Sequence, residues 1–396
     1  MAKAILAIDQ GTTSARSIVF SSSGQTLGKS QREFEQLFPA EDQVEHSPDA
    51  IWHSVVATAQ QAYRAACDDG HEIIGIGITN QRETIAVWDR QTGRLIHNAI
   101  VWQDRRTATF CENLEAAGHA DLIQQKTGLL IDPYFSASKL SWILDNVDGA
   151  RAAAESGQLA AGTIDTFLLW RLTAGERHMT DATNACRTGL FNLEKQMWDE
   201  ELLDLYRIPP ALLPKIKDSA DDFGMCTQDF VGKPLPIRSM IGDQHAASVG
   251  QACFSPGQIK ATYGTGCFVL VNTGDTIKRS QHRLLSTVAY RLNGTPTFAV
   301  EGSIFIAGAA VQWLRDSLGV LQHAAETEER AARAEPDGDV IMVPAFTGMG
   351  APHWSPGARA AVFGMTRRSG PDELSKAALE GVIYQTGDLL RAMQAD

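Results

Sequence analysis

The chain has 396 residues, 44% of them apolar and 21% charged, and carries a formal net charge of −12. That length exceeds what one hydrophobic core supports and fits two domains, while the composition excludes a disordered or fibrous chain. The negative balance excludes general attraction to nucleic acid or anionic lipid, no apolar run is long enough to cross a bilayer, and six cysteines without a Cys-x-x-Cys pair argue against a zinc site or a disulfide framework. The opening Met1-Ala2-Lys3-Ala4 shows no signal-peptide pattern, so a reducing cytoplasm is the expected location.

In chain order, Ala4 to Ile8 reads as a strand, Asp9-Gln10-Gly11-Thr12-Thr13-Ser14 as a polar turn, and Ser17 to Phe20 as a second strand. Ser47-Pro48-Asp49 starts a helix, with Ser47 as cap and Pro48 at the first helical position. Ile51, Trp52, Val55, Ala59 and Tyr63 then share one helical face. Ile73 to Ile78 is a buried strand that runs into Thr79-Asn80-Gln81-Arg82-Glu83, and strands alternating with helices give an α/β class. Ile237 to Gly242 is another strand, closed by Asp243, and a domain boundary is expected near residue 250. Ile259 to Tyr263, the turn Gly264-Thr265-Gly266 and Cys267 to Val271 repeat the plan of the first unit. Such hairpins are common in β proteins, so the repeat alone leaves duplication and coincidence both open. The chain ends in a helix expected from Pro371 to Gln394.

Several chemistries are excluded by missing motifs. Gly28-Lys29-Ser30 approaches a Walker A sequence, but Ser23 stands where its first glycine belongs. No Gly-x-Gly-x-x-Gly follows the first strand, and neither His-Glu-x-x-His nor Gly-x-Ser-x-Gly occurs. Asp9 to Arg16 suits a phosphate chain: Gly11 admits the backbone, Thr12, Thr13 and Ser14 offer hydroxyls and turn amides, Arg16 adds charge, and Asp9 suits the water shell of a magnesium ion. A solvated hairpin would need the same residues. Asp243, at a strand end, suits a base that accepts a hydroxyl proton, or equally a helix N-cap. Arg82 beside Glu83 suits a polyol, which both donates and accepts hydrogen bonds, or a surface ion pair. Trp102, Tyr134 and Phe268 suit the lining of a small pocket, or core. His245 is read as a bystander of Asp243.

Taken together, the segments resemble the glycerol kinases, a branch of the carbohydrate kinase family named for its Phe-Gly-Gly-Tyr signature. The likeness rests on Asp9–Arg16, Ile78–Thr84, Asn98–Asp104, Asp132–Ser136, Gly242-Asp243-Gln244, Thr262–Phe268, Ala309–Asp316 and Pro344–Gly348. It implies two ribonuclease H-like domains of the actin, Hsp70 and hexokinase type with a cleft between them, residues 1–250 and 251–396, the second incomplete. It implies ATP-dependent phosphorylation of glycerol to sn-glycerol 3-phosphate, with ATP and Mg2+ as cofactors. Asp243 is then the general base. Arg82, Glu83, Tyr134, Asp243 and Gln244 hold the hydroxyls, and Trp102 and Phe268 cover the carbon chain. Thr12, Thr13, Ser14 and Arg16 take the ATP phosphates, joined by Thr265, with Gly308 and Gln312 near the nucleotide. Asp9 and Asp243 organise magnesium. Neither nucleic acid nor membrane insertion is implied, and homo-oligomerisation stays open. A kinase for another small polyol or ketose, or an inactive homologue that only binds ligand, are the rival readings.

The chain departs from that pattern in two places. Members of the family continue beyond Asp396 with a Gly-Gly turn and an Asn that contact adenosine and ribose, which implies a fragment with weak or no activity and a second sheet with an open edge. The stretch Asp229-Phe230-Val231-Gly232-Lys233-Pro234 lacks the glycine-rich loop that binds fructose 1,6-bisphosphate in enteric relatives, and no histidine lies between Gly224 and Met240. Neither of the corresponding controls is expected.

Overall fold

The computed structural model describes residues 2–396 and divides into two units. The first runs to Ala246 and also includes Thr287–Thr297; the second comprises Ala247–Ser286 and Phe298–Asp396. Contiguous domains meeting at residue 250 therefore miss one segment. The hairpin tip 287–297 belongs to the first unit because Ser219 N–H donates to Arg291 O (2.9 Å), Arg291 Nε donates to Asp218 Oδ1 (2.7 Å), and Gly294 N–H donates to Asp218 Oδ2 (2.7 Å).

In the first unit, β1 (Lys3–Gln10), β2 (Ser14–Ser21), β3 (Thr26–Glu33), β4 (Glu72–Asn80) and β5 (Ile237–Gly242) form one sheet in the order β5-β4-β1-β2-β3. The hairpin strands β1, β2 and β3 are antiparallel, whereas β4 and β5 run parallel to β1. Alternation along β1 buries Ala4, Leu6 and Ile8 on one face. Helix α1 (Pro48–Asp68) covers that face with Ile51, Val55, Ala59, Ala62 and Ala66. Ser47 caps α1 by accepting from Ala50 N–H, with Pro48 in the first turn as expected. The helix lies so close to β3 that a Cβ on Gly28 would sit 2.4 Å from the Ala62 carbonyl oxygen.

The turn after β1 is shorter than the sequence suggested. The ladder pairs Asp9 with Arg16 and Gln10 with Ala15, so Ser14 and Arg16 are strand residues and only Gly11–Thr13 remain in the turn. The register also sets Asn80 beside both Gln10 and Gly242. Three parallel strands therefore finish at one edge, where α/β folds place ligands.

A second five-stranded sheet in this unit runs in the order Gln36–Leu37, Glu45–His46, Ala99–Ile100, Ile85–Asp89, Leu159–Thr163. Helix α2 (Ser136–Asn146) packs Leu140 and Ile143 into its core beside Ile85, Val87 and Ile100.

The second unit carries a four-stranded sheet of β6 (Ile259–Tyr263), β7 (Cys267–Gly274), β8 (Leu285–Leu292) and β9 (Thr295–Ile304), ordered β6-β7-β9-β8. Its first strand lies at one edge of that order. The last helix spans Pro371–Ala395, and Tyr263 Oη donates to Thr386 Oγ1 on it at 3.2 Å. All six cysteines are free thiols, and among the described residues no helix is long and apolar enough to cross a membrane.

Candidate active site

The chain leaves β4 through Gln81, Arg82 and Glu83, and Glu83 takes up a left-handed backbone conformation (φ 61°) that is unusual for a non-glycine residue. Local bonds enforce it: Thr84 N–H donates to Arg82 O (2.7 Å), and Ser136 Oγ donates to Glu83 O (2.8 Å). Arg82 and Glu83 are only 3% and 1% exposed, which rules out the surface ion pair that adjacent charges first suggest. Arg82 Nε lies 3.4 Å from Asp243 Oδ1 and 3.9 Å from Glu83 Oε1, while its Nη2 is 3.5 Å from Tyr134 Oη. One guanidinium thus gathers two carboxylates and a phenol.

Asp243 is the first residue of a helix, Asp243–Gly250, and Gln244 N–H donates to its Oδ1 at 2.6 Å. Its side chain remains 31% exposed, so the carboxylate can meet a ligand while Arg82 behind it is buried. Gly242 makes this close approach possible, because a Cβ there would fall 2.8 Å from Arg82 Cγ and Cδ. The strand end is tethered from beneath. Gly242 N–H donates to Thr183 Oγ1 (2.9 Å), whose own proton goes to buried Asp181. His245 is buried and faces Thr287 Oγ1 at 3.2 Å, consistent with a packing role.

Tyr134 is fixed by its backbone. Its N–H donates to Asp132 Oδ1 (2.8 Å), which also pairs with Arg105 Nη1 (2.8 Å). Lys139, on α2, is fully buried and donates from Nζ to the carbonyls of Pro133, Tyr134 and Phe135. Burial pushes the Lys139 ammonium down to about 8, opposed by the negative charges of Asp104 and Asp132. The Tyr134 ring meets Trp102 edge-on at 5.6 Å, and Trp102 Nε1 donates to Thr12 Oγ1 at 3.0 Å. Trp102 is only half-buried, which fits a pocket wall better than core.

In the hairpin itself, Asp9 stands opposite Arg16, and burial pushes its carboxyl above the usual carboxylate range while Arg16 pulls it back. Arg16 Nε donates to Gln31 Oε1 (3.1 Å), Gln31 Nε2 donates to Ser14 Oγ (3.1 Å), and Thr13 is exposed at the turn. Among the described residues no group of three or more His, Cys, Asp or Glu side chains could hold a metal by itself.

The second unit holds its own expected residues. The turn Gly264-Thr265-Gly266 is bonded to the N-terminus of the helix Gly308–Asp316: Gly308 N–H donates to Gly264 O (2.8 Å), and Ala307 and Ala309 N–H donate to Thr265 O (2.8 and 3.1 Å). A Cβ on Gly308 would fall 2.6 Å from Gly264 O, and one on Gly266 2.5 Å from Ile304 O. Thr265 is exposed, Gln312 lies one turn along the same helix face as Gly308, and half-buried Phe268 follows on β7.

The first unit therefore brings Thr12, Arg82, Glu83, Trp102, Tyr134 and Asp243 into one contiguous set, with half-buried Gln244 following Asp243 on its helix. Sequence reasoning missed Arg187 and Lys139, which grip Glu83 and the Tyr134 loop from below. Nothing local marks them, since buried and exposed cations look alike in a single sequence.

Residues 4–250 match the model of the FGGY family of carbohydrate kinases, N-terminal domain, and residues 259–396 match its C-terminal domain. The chain is 59% identical over 392 residues to a glycerol kinase of Rhodospirillum centenum (strain ATCC 51521 / SW) and 58% identical over 392 to one of Sinorhizobium fredii (strain NBRC 101917 / NGR234). Both alignments take in 99% of this chain and 79% of the relative. The crystal structure of Plasmodium falciparum glycerol kinase with ADP superposes with a TM-score of 0.89 at 34% identity, covering 100% of this chain and 79% of that one. A gluconate kinase from Lactobacillus acidophilus shares the fold, with a TM-score of 0.86 at 21% identity over 99% of this chain and 78% of that one.

Proposed function

The chain belongs to the FGGY family of carbohydrate kinases, and from that premise we propose that it transfers the γ-phosphoryl group of ATP to a terminal hydroxyl of glycerol, giving sn-glycerol 3-phosphate and ADP. The observation that carries this reading is the accessible Asp243 carboxylate held against Arg82, beside Glu83 and Tyr134. Asp243 takes the proton of the attacking hydroxyl as its oxygen bonds to phosphorus, and the bond from phosphorus to the ADP oxygen breaks. Arg82 donates to glycerol oxygens, Glu83 accepts from a hydroxyl, and Tyr134 and Gln244 complete the set. Trp102 and Phe268 offer apolar surface to the carbon chain. A site whose buried polar groups match three hydroxyls rejects analogues that lack one by as much as ~10⁴-fold, since the abandoned group stays unpaired.

Thr12, Thr13, Ser14 and Arg16 serve the phosphates, and Thr265, Gly308 and Gln312 serve the nucleotide from the second unit. The substrate is the magnesium complex of ATP. Two carboxylates at the ends of parallel strands that flank β4, Asp9 and Asp243, suit an ion that keeps most of its water and takes its other ligands from phosphate. The ion supplies charge neutralisation on the transferring group. The free thiols and the ATP requirement support a cytoplasmic location. An ADP-release assay with glycerol, other polyols, xylulose and gluconate tests the substrate. Glycerol should give the highest kcat/KM by at least two orders of magnitude, and a ketose or gluconate outrunning it would overturn the assignment.

A further inference from the structure

Arg187 is 0% exposed, so it reaches no ligand from solvent, yet its Nε donates to Glu83 Oε1 at 2.6 Å. Its guanidinium carbon also lies 5.6 Å from the centroid of the Tyr134 ring and 5.4 Å from that of Phe135. The backbone that carries it is fixed by the short helix Ala182–Ala185. Asp181 caps that helix by accepting from Thr183 and Asn184 N–H, and Arg187 N–H donates to Asn184 O at 3.1 Å. A guanidinium buried this completely costs several kcal/mol of desolvation, which ion pairing offsets only in part. Its contacts point instead to the site above it.

We propose that Arg187 is a positioning residue for polyol recognition: it locks the Glu83 carboxylate in one orientation and backs the Tyr134 ring, without touching substrate. The inference rests on the reading of Glu83 and Tyr134 as glycerol ligands. With Oε1 held by Arg187, the plane of the Glu83 carboxylate has one fixed orientation toward the site. The same Oε1 lies 3.9 Å from Arg82 Nε, so the bond to Arg187 is the shorter of its two cationic contacts and sets its position. The ring contact restrains the Tyr134 side chain, while the Lys139 bonds hold its backbone.

The test is a mutant cycle of Arg187→Met, Glu83→Gln and the double variant, with glycerol Kd by calorimetry and separate KM values for glycerol and ATP. Arg187→Met should raise glycerol Kd and KM at least tenfold, leave the ATP KM within about twofold, and lower kcat much less than kcat/KM for glycerol. The double variant should be no worse than the more damaging of the two single variants, because both changes break one unit. Additive losses, or glycerol and ATP parameters falling together, would show that Arg187 only supports the fold and would overturn the proposal. If Arg187→Met does not fold, Arg187→Lys, which keeps a charge but loses the planar fork, takes its place with the same criteria. Glycerol binding left intact by Glu83→Gln would instead refute the role of Glu83 itself.

Discussion

The two hairpins with which the units begin differ in what they are made of. In the first unit the β1–β2 hairpin sits inside its sheet, with β4 on one side and β3 on the other, and its neighbourhood is built from side chains: Thr12 to Trp102, Trp102 to Tyr134, Tyr134 to Arg82, Arg82 to Asp243. In the second unit the β6–β7 hairpin lies at a sheet edge, and its geometry is set by main-chain bonds and by glycines that leave no room for a Cβ. A site of paired charges fails when a charge is changed. A site of backbone fails when an atom is added.

The largest effect expected from this contrast is at Asp243. Asp243→Asn keeps shape and hydrogen bonding to Arg82 but cannot take a proton, so kcat should fall ~10³-fold, within the range for removal of a general base. Glycerol Kd by calorimetry should move less than about threefold. A parallel loss of binding would make Asp243 an anchor rather than a base.

Next in size is a pH effect confined to the first unit. Burial holds the Lys139 ammonium at about 8 against the usual 10.5, so between those values the unfolded chain binds a proton that the folded chain has shed. Stability therefore rises with pH across that window, and the cost of the buried charge is fully present below it. Relative to Lys139→Met, the wild type should gain up to ~3 kcal/mol between pH 7.5 and 10, measured from urea midpoints. A difference that stays flat would mean that the three carbonyls offset burial completely.

The same contrast explains what the sequence could and could not disclose. Strand alternation and the Ser47-Pro48 cap are local signals, and the elements they predict are present at nearly the expected bounds. The candidate ligands were legible because Arg82, Glu83 and Asp243 stand at strand ends, where chain order itself marks them. Arg187 and Lys139 were not, because their meaning comes from burial beneath residues far away in the chain. The hairpin tip 287–297 escaped for the same reason: only the long-range bonds to Asp218 and Ser219 assign it to the first unit.

Adding one methyl group to the backbone-built site gives a smaller effect of the opposite kind. Gly308→Ala forces a Cβ against Gly264 O and parts the turn from its helix. A strain of about 1–2 kcal/mol at that contact corresponds to roughly a tenfold rise in the ATP KM, with the glycerol KM unchanged. If glycerol affinity suffers equally, the two hairpins are not separable devices.

The smallest effect is at the hydrogen bond from Trp102 Nε1 to Thr12 Oγ1, between the aromatic wall and the first hairpin. Trp102→Phe removes the indole donor and leaves Thr12 Oγ1 able to rotate toward water or phosphate, so the loss is that of one neutral hydrogen bond, about 1 kcal/mol, or roughly fivefold in the glycerol KM. Thr12→Val removes the acceptor instead and strands the indole N–H, and it also deletes a hydroxyl expected at the ATP phosphates. Thr12→Val should therefore raise both KM values where Trp102→Phe raises one. Equal behaviour of the two variants would confine Thr12 to holding Trp102, and the phosphate contacts of the first hairpin would then fall to Thr13, Ser14, Arg16 and the turn amides.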